Sequence, residues 1–228
     1  MSMYISEWRK PWIKKESSVK KRLRAASCVR RLKTAYPNAK MALRYGNEIQ
    51  LLVAVMLSAQ CTDKKVNEVT EKLFKKYKTA KDFATADRRT LEQEIRSTGF
   101  YHSKARSIRE ACRTIVEKFG GNVPRAMGDM LQLRGVARKT ANVVLGNAFR
   151  VVDGIAVDTH VRRLSQRLGY TKSDNPEKIE QDLMALIDRK DWFMLTYFLI
   201  EHGRRVCNAR RPGCSACVLQ DLCPSSRL

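Results

Sequence analysis

The 228-residue chain carries 45 Lys and Arg against 23 Asp and Glu, a formal net charge of +22. That excess is far beyond what solubility needs and implies an anionic partner, nucleic acid first and an anionic membrane surface second. No run of about 18 apolar residues exists, which excludes a transmembrane helix, and the length suffices for a real core in one large domain or two small ones.

Residues 1–16 are polar, basic and aperiodic apart from Trp8 and Trp12. They read as a flexible basic arm without the apolar core of a signal peptide, so secretion is not expected. From Ser17 to Tyr36, Val19, Leu23, Ala26, Val29, Leu32 and Tyr36 recur at helical spacing, and Pro37-Asn38 ends the helix. Glu48 to Ala59 is apolar all round and reads as a buried helix. Lys64 to Tyr77 carries Val66, Val69, Leu73 and Tyr77, with Thr62 or Asp63 as N-cap. A shorter helix follows Asp87 with Leu91 and Ile95 and ends near Gly99. Lys104 to Phe119 has the cleanest stripe, Ala105, Ile108, Cys112, Ile115 and Phe119, and Gly120-Gly121 stops it. Asn175-Pro176 starts a further helix, and Asp191 is expected to cap the last, which runs through Trp192 to Gly203. Asp153-Gly154 between apolar pairs suggests a hairpin in isolation. Its position between two long helices favours an irregular connection, and the fold class is all-α.

Two stretches carry chemistry. In LRGVARKT, Leu133 to Thr140, a short helix over 125–132 and a longer one in RKTANVVLGNAF flank a tight hairpin with Gly135. The longer helix is expected to turn Val143, Val144 and Ala148 to the core. The free N–H groups at its start sit at the positive end of a helix dipole and suit a phosphate oxygen. Lys139 falls in its first turn, where the dipole and some burial would lower its pKa and leave a usable amine. A lysine that only contacts phosphate is the plainer reading. Asp158 precedes Thr159-His160-Val161 at a helix head, where a cap is the plain role. A carboxylate there is also able to stabilise developing positive charge.

Seven Cys are present, an odd count that argues against a disulfide framework. Cys28, Cys61 and Cys112 are scattered and read as small core residues. Cys207, Cys214, Cys217 and Cys223 have the spacing C-x6-C-x2-C-x5-C, a strong metal signal that does not by itself separate zinc from iron–sulfur. His102, His160 and His202 read as hydrogen-bonded structural residues.

These segments resemble the endonuclease III family of DNA glycosylases, in the family's order from roughly Ile49 onward. LRGVARKT is similar to its helix-hairpin-helix, IAVDTHVRRL to its aspartate segment, LLVAVMLSAQCTD and TGFYHSKA to its two DNA-facing loops, and CNARRPGCSACVLQDLC to its cluster loop. Arg134 stands where the family has Pro, and Ala137 where it has a second Gly. The resemblance implies two helical lobes with a DNA groove between them. Residues 42–153 would form a six-helix lobe, and 17–41 plus 154–228 a lobe with a 4Fe–4S cluster on the four Cys. It implies Lys139 as nucleophile and Asp158 as its catalytic partner. Gln60 and Phe100 would be wedges that fill the hole left by an extruded base, and His102, Lys104, Arg134, Gly135, Ala137 and Thr140 further DNA contacts. The implied enzyme is a monomeric glycosylase and AP lyase that removes oxidised pyrimidines from double-stranded DNA through a lysine Schiff base, in the cytoplasm with the bacterial nucleoid. A monofunctional mismatch glycosylase and a non-catalytic helix-hairpin-helix module are the competing readings.

Overall fold

The computed structural model describes residues 10–228. Eleven α-helices account for most of them, and no strand occurs among the described residues. No described helix is long and apolar enough to cross a membrane. The chain divides into two compact units, one of residues up to Met41 together with Gly154–Leu228, the other Ala42–Asp153.

The second unit holds α2 (Glu48–Leu57), α3 (Asp63–Lys76), α4 (Ala80–Thr85), α5 (Arg88–Glu94), α6 (Tyr101–Phe119), the single turn α7 (Met127–Met130) and α8 (Arg138–Phe149). Helix α2 is the axis of this unit, and every residue from Ile49 to Leu57 is buried. It packs on α3, α6 and α8, while α4 and α5 lie on α6. The boundaries follow from capping. Asn47, Thr62 and Asp87 each accept a first-turn backbone N–H. Thr79 and Asp82 form a reciprocal capping box for α4. Periodicity passes over α4, because six residues are too few to show a stripe. Gly120 and Gly121, at φ 59° and 83°, end α6.

The first unit is built from α1 (Ser18–Ala35), α9 (Thr159–Arg167), α10 (Pro176–Leu186) and α11 (Trp192–Arg205). Its core includes Cys28, Leu32, Val161, Leu164, Ile179, Leu183, Leu195 and Leu199. Of the apolar stripe expected on α1, Val29, Leu32 and Tyr36 are buried, but in its first half Val19, Leu23 and Ala26 are exposed and the inward face is Arg24, Ala25 and Cys28. Arg24 goes inward because its fork is fully used. It pairs with both oxygens of Glu16 at 2.7 and 2.8 Å and donates to Leu168 O at 2.7 Å. Its guanidinium also lies 5.2 Å from the Trp12 ring centre.

The same contacts correct the expectation of a flexible arm. Residues 1–9 lie outside the described part. Pro11–Lys15 form a 3-10 turn, and the Lys10 N–H donates to Pro224 O at 3.0 Å. Asp191 precedes α11 but makes no side-chain cap, because its backbone is already helical, at φ −100° and ψ −9°. His202 is buried and holds the Tyr36 hydroxyl at 2.8 Å, a structural histidine that burial pushes down to about 4 and keeps neutral at pH 7.

Candidate active site

The hairpin 131–137 is anchored by Leu133 and Val136, both buried, and closed by the Val136 N–H on Leu133 O at 3.1 Å. Gly135 is required twice over. Its φ is +77°, and a Cβ there would stand 2.9 Å from Ser107 Cβ and 3.2 Å from Met56 Cε. Ala137 is the N-cap of α8 at φ −91°, where a methyl group costs nothing. It offers no side-chain acceptor, so the first-turn amides of α8 keep their capacity for an external anion. Arg134 carries its own tether, with Nε 3.1 Å from the Glu110 carboxylate of α6, which also takes Arg106 at 2.9 Å. Arg106 and then Arg134 hold Glu110 below the usual carboxylate range. The hairpin is thus pinned to α6 by a side chain, at the position where the family pattern has a rigid ring.

Lys139 lies in the first turn of α8 and is exposed. The burial expected of it is not there, because the buried face of α8 is Ala141, Val144 and Leu145. Val143 and Ala148, expected on that face, are only half-buried. Thr140 is half-buried beside them. Asp158, in the first unit, is half-buried and caps α9, its Oδ1 accepting the Val161 N–H at 2.8 Å.

The two loops expected to face DNA share one backbone feature. Gln60, after α2, has φ 52°, and Phe100, before α6, has φ 49°. Left-handed backbone is rare for such residues, and both side chains are exposed, Phe100 to 64%. His102 is exposed, with Nδ1 2.7 Å from Glu92, which Arg88 binds from its other side at 2.7 Å. Lys104 does not belong with these surface groups. It is buried, and its Nζ donates to Leu57 O and Thr98 O, each at 2.8 Å. Burial lowers its pKa. Its place on α6 puts it on the inward side with Ala105 and Ile108, so its charge is spent on carbonyls inside the unit.

Cys207, Cys214, Cys217 and Cys223 are free thiols that line one cavity in the first unit. Burial pushes Cys217 up to about 11 and Cys223 up to about 12, so thiolates there call for a positive centre. Donors already point at the sulfurs: Arg167 Nη1 is 3.3 Å from Cys207 Sγ, and the Leu219 N–H is 3.4 Å from Cys217 Sγ. Among the described residues no three His, Cys, Asp or Glu converge as a single-ion site. Arg204, Arg205, Arg210 and Arg211, all exposed, stand around this loop in the sequence. The structure adds Arg163 and Arg167, buried on α9, which donate to the carbonyls of Cys207, Asn208 and Ala209. Their four-residue spacing on α9 was the available signal.

Comparison with known proteins agrees with this arrangement. The family model for HhH-GPD superfamily base excision DNA repair proteins matches residues 53–189. The chain is 53% identical over 207 residues to an endonuclease III of Synechocystis, covering 91% of this chain and 94% of the relative. It is 43% identical to that of Bacillus subtilis, over 86% and 90% of the two chains. Its fold matches a trapped endonuclease III–DNA covalent intermediate with a TM-score of 0.85 at 42% identity, covering 89% of this chain and 95% of that one. With a family model spanning more than half its length and relatives this similar along nearly all of it, the chain belongs to the endonuclease III family of base excision DNA repair proteins.

Proposed function

We propose that the protein is a bifunctional base-excision DNA glycosylase and AP lyase acting on damaged pyrimidines and abasic sites in double-stranded DNA. The observation that carries this reading is Lys139, an exposed amine in the first turn of α8, a helix that follows a glycine hairpin and starts without a side-chain cap, so that its positive end suits a phosphate. A DNA-binding module has no need of a lysine there, and a structural relative forms a covalent DNA intermediate.

The chemistry follows from an amine beside a sugar. Lys139 attacks the anomeric carbon of the 2′-deoxynucleotide, and the base leaves. Breaking the C1′–O4′ bond then opens the sugar ring, O4′ takes up a proton and an iminium forms; it acidifies the neighbouring carbon, so loss of a proton there expels the 3′ phosphate and cuts the strand. Asp158 supplies a carboxylate that accepts the proton of Lys139 and stabilises positive charge on the sugar. A base in a duplex has to be extruded first. Gln60 meets the orphaned partner base with its amide, and Phe100 wedges into the stack. The high net charge of +22 supports a long-range pull on DNA.

Cys207, Cys214, Cys217 and Cys223 would hold a 4Fe–4S cluster, and their common cavity, free thiols and pointing donors support that assignment. When bound, the cluster cross-links the C-terminal loop, and β-elimination needs no electron from it. Its lobe would be residues 17–41 plus 154–228. The enzyme would work as a monomer in the bacterial cytoplasm, where the DNA is.

The test is covalent trapping. With a thymine glycol duplex and borohydride, the protein should be captured on DNA, and Lys139→Gln should abolish capture. Base release without capture would point to a monofunctional glycosylase, and binding without product to a scaffold. The purified protein should be brown, with about four iron atoms per chain; stoichiometric zinc in colourless protein would refute the cluster.

A further inference from the structure

Among the described residues, Lys104 is the only buried lysine, with 7% of its surface exposed. Its two acceptors are not a matched pair from one loop. Leu57 is the last residue of α2, three positions before Gln60, and Thr98 ends the 3-10 turn Arg96–Thr98, two positions before Phe100. Both carbonyls close helical segments, where intrahelical donors have run out. A cation at the end of α2 also meets the favourable pole of its dipole. The Phe100 turn is joined directly to α6, whose first intrahelical bond runs from the backbone N–H of residue 104 to Phe100 O at 3.0 Å whatever the side chain.

What these carbonyls lead into is strained. Gln60 and Phe100 are two of the three described non-glycine residues with positive φ. Strain of that kind persists only where the surroundings impose it. We propose that Lys104 is a positioning residue: by bridging the Leu57 and Thr98 carbonyls it locks the two loops to each other, so that Gln60 and Phe100 enter a duplex as one tool at fixed spacing. The inference rests on the wedge roles given above and adds the group that couples them. Its consequence is selective. A substrate with a base to extrude needs the clamp, whereas an abasic sugar in single-stranded DNA has no base to extrude and no partner to hold apart.

The experiment compares two rates in each protein, base release from a thymine glycol duplex and strand cleavage at an abasic site in single-stranded DNA. Lys104→Met should lower the ratio of the first to the second by about tenfold or more, since small misplacements cost that much. In a Gln60→Ala/Phe100→Ala background the same substitution should change the ratio by less than about twofold, because the tool it positions is gone. Equal losses on both substrates, or no loss, would overturn the clamp and leave Lys104 as a core residue only. Should Lys104→Met not fold, Lys104→Gln, whose amide fills the site but ends one atom short of bridging both carbonyls, takes its place with the same readout. A wild-type protein that cleaves neither substrate would instead refute the enzyme reading, a result distinct from an altered ratio.

Discussion

Arg24 in the first unit and Lys104 in the second are equally hidden, at 7% exposure each, yet their partners differ in kind. Arg24 has a carboxylate, Glu16, on two of its nitrogens, carbonyls of Leu168 and Leu222, and the rings of Trp12 and Tyr170. A planar fork suits so many partners, and its charge is cancelled where it sits. Lys104 has two carbonyls and no counter-ion among its hydrogen-bond acceptors. Burying a charge on those terms costs free energy that an apolar side chain would not. The comparison teaches how to separate a cation that fastens a fold from one that aims a site. The first has its charge neutralised by a carboxylate and leads to buried structure, and the second has only carbonyl acceptors and leads to exposed, strained side chains.

Three substitutions sharpen or break this distinction. Glu16→Ala should have the largest effect on stability, about 3–5 kcal/mol, because it strands a buried guanidinium. Urea unfolding measures that loss, and base release per folded molecule should stay at the parent level. A variant as stable as the parent would show that Arg24 is not held by charge. Lys104→Met should destabilise less, roughly 1–3 kcal/mol for two carbonyls left without donors, while its duplex activity falls selectively. Were it to unfold as readily as Glu16→Ala and lose both activities together, the two cations would be of one kind. Asp158→Asn should have the smallest effect on stability, a few tenths of a kcal/mol, since Asn caps a helix as well as Asp does. Borohydride trapping should nevertheless collapse, because the amide cannot take the proton. Retained trapping would reduce Asp158 to the cap seen in the structure.

Much of the helical layout was legible in the residues. Helix α8 begins at Arg138 and ends at Phe149, where RKTANVVLGNAF had placed it, and α6 stops at Gly120-Gly121 because glycine adopts the left-handed backbone there without strain. Helix α4 was missed although Thr79-x-x-Asp82 is a capping-box signature. The inward face of the first half of α1 was not readable, because an arginine at a core position looks like a surface residue until its carboxylate is found. Residues 10–16 were read as an arm for the same reason, since Glu16 and Trp12 matter only through Arg24. Lys104 was misjudged as a DNA contact because one acceptor, Leu57 O, lies 47 residues away.

The sequence by itself determined most of the helices, several of their caps, the glycine at the hairpin, the four cysteines and the family. Each of those depends on residues within about a turn of one another or on a motif of fixed spacing. Only the tertiary structure decided where charge goes inside: Arg24 onto Glu16, Arg134 onto Glu110, Lys104 onto two loop carbonyls. A buried polar group is tolerable only with its partners in place, and those partners come from segments that folding alone brings together.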